Sequence, residues 1–158
     1  MMGGLHIEMA YLKAVGQWLE GSGWTDSLVD AGLVKSGTAD SFLKGAHVTR
    51  TRRAHEVTAC ALQMLLTQSY QGYLSDLPKR EEPCSMESRC INQADHHPTF
   101  KYWSSVLEME LTLLLFVRSL REGNFELYLL SLIQMAPWFF LLLTITTIHG
   151  GYPFTSGI

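Results

Sequence analysis

Residues 127–148 read LYLLSLIQMAPWFFLLLTITTI, and this stretch contains no charged side chain. A helix needs about 20 apolar residues to cross a bilayer, so the segment is long enough for one span. Arg118 and Arg121 precede it and no lysine or arginine follows it, which would keep the N-terminal side cytoplasmic. A helix buried in a water-soluble bundle is also apolar on all sides. The segment therefore leaves two folds open, a tail-anchored protein and a helical bundle.

The rest of the chain has the pattern of amphipathic helices separated by turns. Leu5–Leu19 has an apolar stripe at helical spacing, and short helices are expected near residues 25–29 and 38–43. Two long helices are expected over His47–Tyr73 and Thr99–Glu122, joined by a flexible, polar, proline-containing loop over residues 75–98. No alternating strand pattern occurs. The sequence thus predicts an all-α, irregular helical bundle with two long helices, that loop and a hydrophobic C-terminal helix.

Composition narrows the class of protein. A chain of 158 residues predicts one domain, and its 17% charged residues lie below the roughly 25% of ordinary soluble domains. The net charge of −3 provides no general attraction for nucleic acid or anionic lipid. Three cysteines do not make a disulfide framework, and the N-terminus has no secretory signal. We expect an intracellular protein, cytoplasmic or nuclear and not secreted, with the membrane as the alternative.

One basic cluster is a candidate nucleic-acid site. It lies around the start of the first long helix and comprises Lys44, His47, Arg50, Arg52, Arg53 and His55. Its candidate contacts to nucleic acid are Lys44, Arg50, Arg52 and Arg53. Such cations could contact phosphates. The alternative is a solvated first turn, or arginines paired with carboxylates elsewhere in the fold, with Arg52–Glu56 as a local pair. We favour the alternative because no nucleic-acid-binding motif frames the cluster.

The remaining chemistry-bearing residues form no strong motif. Zinc-type ligands occur at Cys84, Cys90, His96 and His97, but their spacing, C-x5-C-x5-H-H, lacks the tight C-x2-C knuckle and favours ordinary thiols in a polar loop. Cys60 is expected to be a small core residue. Glu110 is expected to reach Arg50 or Arg53. There is no nucleophile elbow, P-loop or dinucleotide fingerprint, so we expect no enzymatic activity and no cofactor.

Three blocks of the chain resemble an uncharacterised metazoan, multicopy protein family of mobile-element origin. The blocks are SGTADSFLKGAHVTRTRRAHEVTACAL (Ser36–Leu62), FKYWSSVLEMELTLLLFVRSLREGNFELYLLSL (Phe100–Leu132) and IQMAPWFF (Ile133–Phe140). The resemblance implies long helices around a core within a larger protein. It provides no catalytic residues, because that family has no known activity.

The resemblance stops after Phe140. The family continues there as A-L-D-H-x-N-Y-x-R-W, whereas this chain reads LLLTITTIHGGYPFTSGI. One back-translation of Leu143–Ile158, read from the third base of its first codon, encodes D-H-H-N-Y-T-R-W. We therefore interpret residues 141–158 as a non-family tail that is out of frame, and residues 1–140 as a helical domain that is incomplete relative to the family.

These observations favour a truncated, non-enzymatic helical fragment of a mobile-element-related protein. A single-pass tail-anchored protein and a weak nucleic-acid-binding module remain as alternatives. Three partners stay open: a membrane contacted through Leu127–Ile148, nucleic acid contacted through the basic cluster, and another protein that covers exposed apolar helix faces.

Overall fold

Helices account for most of the protein in the computed structural model. It describes residues 3–78 and 81–149, with side chains of the last helix described to Leu141. The elements are α1 (Gly4–Leu19), α2 (Trp24–Asp30), α3 (Ser36–Leu43), α4 (Val48–Asp76), α5 (Met86–His96), α6 (Pro98–Glu122) and α7 (Phe125–His149). The described ranges contain no β-strand, which confirms the predicted all-α class.

Local chemistry sets the ends of several helices. Gly23 before α2 and Gly123 after α6 have positive φ angles of 80° and 63°, a conformation that glycine adopts without steric cost. Asn124 then begins α7, because its side-chain Oδ1 accepts a hydrogen bond from the Leu127 N–H at 3.0 Å. Pro98 occupies the first turn of α6, where no backbone N–H is needed. The predicted end of the second long helix at Glu122 is therefore confirmed.

Helix α1 lies at the centre of the bundle and packs against α3, α4, α6 and α7. The largest enclosed side chains come mainly from α1 and α6, and they form one core with Met135 of α7. Those from the first two helices are Tyr11, Leu12, Val15, Leu19, Val106, Met109, Leu113 and Phe116. The apolar stripe read from the sequence over Leu5–Leu19 thus packs against α6.

A close backbone approach joins α1 to α3. A Cβ atom added at Gly16 would lie 2.1 Å from the carbonyl oxygen of Leu43. No side chain fits in that space, so only glycine permits this contact. Gly16 therefore fixes how near the end of α3 comes to the middle of α1.

Helix α4 is buried only in its first half. Its buried residues are Thr51, Ala54, His55, Thr58 and Ala59, and every residue from Cys60 to Asp76 is half-buried or exposed. The prediction that Cys60 is a core residue was wrong, because Cys60 points to solvent. The second half of α4 extends beyond the central core, so apolar spacing along it does not indicate burial.

The loop predicted over residues 75–98 was wrong in its central part, which forms helix α5. Ser85 caps this helix by accepting a hydrogen bond from the Ser88 N–H at 3.1 Å. Contacts to α4 hold its start: the Tyr70 hydroxyl donates to the Cys84 carbonyl at 2.8 Å. The guanidinium of Arg89 lies 4.0 Å from the centre of the Tyr73 ring. Prolines flank the segment and do not interrupt it.

Helix α7 includes the whole of the charge-free segment Leu127–Ile148. Ser131 and Met135 are fully buried, and Trp138 packs edge-on to Trp18 of α1 at 6.3 Å between ring centres. No helix in the described ranges combines the length and the apolar character that a membrane crossing requires. The expected span over Leu127–Ile148 thus lacks support, although its side chains from residue 142 onward lie outside those described. Most of the predicted non-family tail also lies outside them.

Candidate functional site

An apolar cleft opens between α2, α4 and α6. Its volume is about 680 Å³. No charged side chain lines it, and its polar groups are the hydroxyls of serines and threonines. Aromatic and aliphatic walls come from Trp24, Leu28, Val57, Leu62, Phe100 and Trp103. We call this surface the apolar cleft.

Trp24 forms part of the wall of the apolar cleft, and contacts with Thr58 and His55 hold its indole ring in place. Its indole Nε1–H donates to the Thr58 hydroxyl at 2.8 Å, and its ring stacks on His55 with 4.9 Å between ring centres. The Thr58 hydroxyl in turn donates to the Ala54 carbonyl at 2.9 Å. The side chain is only 3% exposed. These contacts fix Trp24, so the wall is preformed.

The His55 side chain that stacks on Trp24 also forms a buried polar pair with Glu110. His55 Nδ1 lies 2.8 Å from Glu110 Oε1, and both side chains are 0% exposed. The second nitrogen of His55 and the second oxygen of Glu110 have no hydrogen-bond partner within the described ranges. The expected contact of Glu110 with Arg50 or Arg53 was therefore wrong. Because the pair is enclosed on all sides, it joins α4 to α6 and does not contact a solute.

The basic cluster is divided among different partners. Arg52 forms a bidentate pair with Glu8 of α1, with Nε–Oε1 and Nη2–Oε2 distances of 2.5 and 2.8 Å. The hydrogen bonds that Arg52 donates to the Glu8 carboxylate raise the pKa of Arg52 above its ordinary value. Arg53 contacts Glu56 at 3.1 Å, so the expected local pair of Arg52 with Glu56 was wrong. The alternative expectation, an arginine paired with a carboxylate elsewhere in the fold, is confirmed for Arg52.

Lys44 and Arg50 are exposed, and neither forms an ion pair within the described ranges. The four candidate nucleic-acid contacts thus do not form one open basic surface. Arg52 pairs with Glu8 of α1, and Arg53 pairs with the neighbouring Glu56. Lys44 and Arg50 are exposed to solvent.

A second cavity adjoins the apolar cleft across Leu28, Leu33 and Val57, which line both. Its volume is about 860 Å³, and Lys35, Arg50 and Arg53 line it. No acidic side chain lines this cavity. We call it the basic cavity. Sequence reasoning missed Lys35, because that residue lies 15 positions before Arg50 and only the fold brings the two to one cavity.

The zinc-type residues lie along α5 and at its ends. Cys84 precedes the helix and is exposed, whereas Cys90 lies within it and is half-buried. Burial raises the pKa of the Cys90 thiol. His96 ends the helix with Nδ1 2.8 Å from the Asn92 carbonyl, and His97 follows. The described ranges contain no group of three or more histidine, cysteine, aspartate or glutamate residues arranged to hold a metal ion.

Comparison with known families finds a match over the N-terminal part of the chain. Residues 1–88 match the family model described as "Domain of unknown function (DUF8702)". No curated protein and no solved structure matches the chain. The matched residues include α1 to α4, with Trp24, His55 and the basic cavity. The α6 wall of the apolar cleft and Glu110 lie outside the match.

Proposed function

The chain belongs to the family described as Domain of unknown function (DUF8702), and we propose that it is a non-enzymatic helical part of a mobile-element-related protein. We further propose that it assembles with a second copy of itself through α7. One observation carries this assembly: α7 packs one face on the core and leaves the other apolar and exposed. We call this surface the outer face of α7 and define it by Leu129, Leu130 and Ile133.

The outer face of α7 exposes three large apolar side chains to solvent. Its three residues are 44%, 48% and 69% exposed. They lie at helical spacing, opposite the fully buried Ser131 and Met135. Exposed apolar patches of a few hundred Å² commonly mark interaction sites. This face therefore supports a docking function better than a solvated one.

The outer face of α7 suits contact with a second copy because it carries no charged side chain. No charged residue occurs between Glu126 and His149 along the helix. In a two-fold contact, the same face meets itself, so any charge on it would oppose a like charge. Here apolar side chains meet apolar side chains instead. The contact would bury surface without leaving a charge unpaired.

The absence of enzymatic activity is part of the same proposal. The polar pairs capable of proton transfer or charge stabilisation, His55–Glu110 and Glu8–Arg52, both serve the interior of the bundle. The apolar cleft has no charged lining residue. These features support a structural role for the polar groups of the described part.

The mobile-element relation and the truncated state rest on the resemblance of three blocks and on the frame of residues 141–158. Sequencing of the transcript across codon 141 tests both. A family-frame reading of D-H-x-N-Y-x-R-W would support them, and a transcript without it would contradict the truncation.

We also propose a cytoplasmic or nuclear location. Its support is that Cys60, Cys84 and Cys90 are all free thiols, as is typical of reducing compartments. Fluorescence microscopy of the tagged chain tests it, and co-localisation with a secretory marker would contradict it.

Sedimentation velocity tests the self-assembly. We expect the chain to form a concentration-dependent dimer, and Ile133→Glu to shift it to monomer because the substitution opposes two charges across the two-fold axis. The matched control is Ile91→Glu on α5, where the native side chain is 60% exposed. It should leave the dimer intact.

Two outcomes would contradict the assembly. One is a wild-type chain that stays monomeric at all concentrations tested. The other is a monomer that floats with neutral liposomes in a density gradient, a property that Ile133→Glu removes, because the outer face of α7 would then contact lipid and not a second copy.

A further inference from the structure

We propose that the apolar cleft and the basic cavity together bind a long-chain fatty acid. The acyl chain lies in the cleft, and the carboxylate lies in the basic cavity beside Lys35, Arg50 and Arg53. This site is separate from the outer face of α7, and it does not depend on the assembly proposed above.

The apolar cleft suits an acyl chain. Its volume of about 680 Å³ lies within the roughly 300–1,000 Å³ of small-molecule sites. Apolar side chains form nearly all of its surface, and Trp24 is held in place by Thr58 and His55. A preformed apolar site binds a flexible chain without first rearranging, which lowers the cost of binding. Each methylene group that is buried in the cleft then adds to the favourable transfer free energy of binding.

The basic cavity suits the carboxylate. It shares Leu28, Leu33 and Val57 with the apolar cleft, so a chain that leaves the cleft there meets the cations. Arg50 and Lys35 form no ion pair within the described ranges, and Arg53 has only an exposed contact with Glu56. A guanidinium group binds a carboxylate through two parallel hydrogen bonds. The cavity therefore offers positive charge at one end of an uncharged cleft.

This arrangement favours an amphiphile over the other occupants. A nucleic acid needs cations spread along a surface to follow its phosphates, whereas these cations line a single cavity that adjoins an apolar cleft. A three-turn helix, about 16 Å long and about 10 Å across, would displace on the order of 1,000 Å³ or more, which exceeds the volume of the cleft. A single acyl chain with an anionic head matches both the apolar walls and the charge.

Quenching of tryptophan fluorescence by dibromostearate provides the test, because bromine quenches an indole that it contacts. Trp24 and Trp103 both line the apolar cleft. We expect saturable quenching below the micelle concentration of the acid. Its methyl ester, which has the same chain without the charge, should bind at least about tenfold more weakly if the cations hold the carboxylate.

Two variants locate the site. The double variant Arg50→Gln/Arg53→Gln should weaken binding of the acid about tenfold and leave the ester unchanged, whereas Arg118→Gln, which alters an exposed cation of α6, should change neither. Ala61→Phe on the exposed wall of the apolar cleft should weaken acid and ester alike, because it fills the cleft without altering charge. Circular dichroism verifies that each variant is folded.

Three results would overturn the proposal. They are quenching that rises linearly without saturation, equal affinity for the acid and its ester, and a double variant that binds the acid as well as Arg118→Gln does. Displacement of the acid by a glutamate-rich amphipathic peptide of much higher affinity would also overturn it, since the site would then recognise a helix.

Discussion

His55 and Glu110 are hydrogen-bonded at 2.8 Å, with both side chains fully enclosed between α4 and α6. We expect Glu110→Ala to lower the free energy of unfolding by about 3 kcal/mol, because the substitution leaves a buried imidazole without its partner. The paired change His55→Phe/Glu110→Leu should recover most of that loss, since apolar groups of similar size replace a buried polar pair at little cost. Urea denaturation measures the unfolding free energy of the single and the double variant.

The control for this pair is Glu108→Ala, because Glu108 is exposed on the same helix. It should change the unfolding free energy by no more than about 0.5 kcal/mol. Equal losses for Glu108→Ala and Glu110→Ala would show that the contact with His55 contributes nothing to stability.

The Glu8–Arg52 pair joins α1 to α4. Glu8 is 3% exposed at its side chain and Arg52 is 20% exposed, so the pair is largely shielded from water. We expect Arg52→Ala to lower the unfolding free energy by about 2 kcal/mol, because it leaves a buried carboxylate without its bidentate partner. Arg50→Ala, two positions earlier and exposed, should change it by less than about 0.5 kcal/mol. Thermal or urea denaturation measures the loss for each variant. A larger loss for Arg50→Ala than for Arg52→Ala would contradict the stabilising role of the Glu8–Arg52 pair.

Gly16 and Gly72 provide a matched pair of helical glycines. We expect Gly16→Ala to destabilise the protein by about 2 kcal/mol, because the new Cβ would lie 2.1 Å from the Leu43 carbonyl oxygen and α3 would have to move. Gly72→Ala in α4 meets nothing within 4 Å. It should stabilise the protein by about 0.5–1 kcal/mol through helix propensity. A stable Gly16→Ala variant would contradict the close approach of α1 and α3.

Tyr11 should make stability depend on alkaline pH. Burial, and to a smaller extent the negative charge of Glu110, raises the pKa of its hydroxyl above the ordinary value of 10.0. The folded state therefore binds this proton more tightly than the unfolded state, so its contribution is complete below pH 10 and is lost as the pH rises above that value. We expect Tyr11→Phe to flatten this alkaline decline in urea titrations at successive pH values.

Tyr11→Phe should also lower the free energy of unfolding by about 1 kcal/mol near neutral pH, because the Tyr11 hydroxyl donates a hydrogen bond to the Met109 carbonyl at 3.3 Å. If Tyr11→Phe showed the same alkaline decline as the wild-type protein, the decline would have to come from another group.

The three thiols should react in a definite order. Cys60 and Cys84 are exposed, whereas Cys90 is half-buried and burial raises its pKa. Because the thiolate is the reactive form, we expect Cys60 and Cys84 to react with Ellman's reagent before Cys90 at pH near 8. Peptide mapping after brief labelling identifies the residues, and all three should react alike in guanidinium chloride. Protection of Cys60 in the native protein would contradict its position on the outside of α4.

The limits of α2, α6 and α7 could be predicted because a few neighbouring residues decide them. Gly23 and Gly123 adopt positive φ angles, and the Asn124 side chain satisfies a backbone N–H in the next turn. Helix α5 had an equally local signal in Ser85, but the prolines on either side favoured a loop. That error was one of interpretation, since the information was present in the chain.

The sequence by itself thus determined the all-α class, the apolar stripe of Leu5–Leu19, and the absence of charge from Leu127 to Ile148. Only the tertiary structure decided which partners the charged residues find. Glu110 meets His55 at a separation of 55 positions, and Arg52 meets Glu8 at 44. The same packing exposes Cys60 and brings Lys35 to the cavity that Arg50 also lines. Helix formation depends on neighbours within about four positions, whereas ion pairs, burial and cavities depend on how the helices dock.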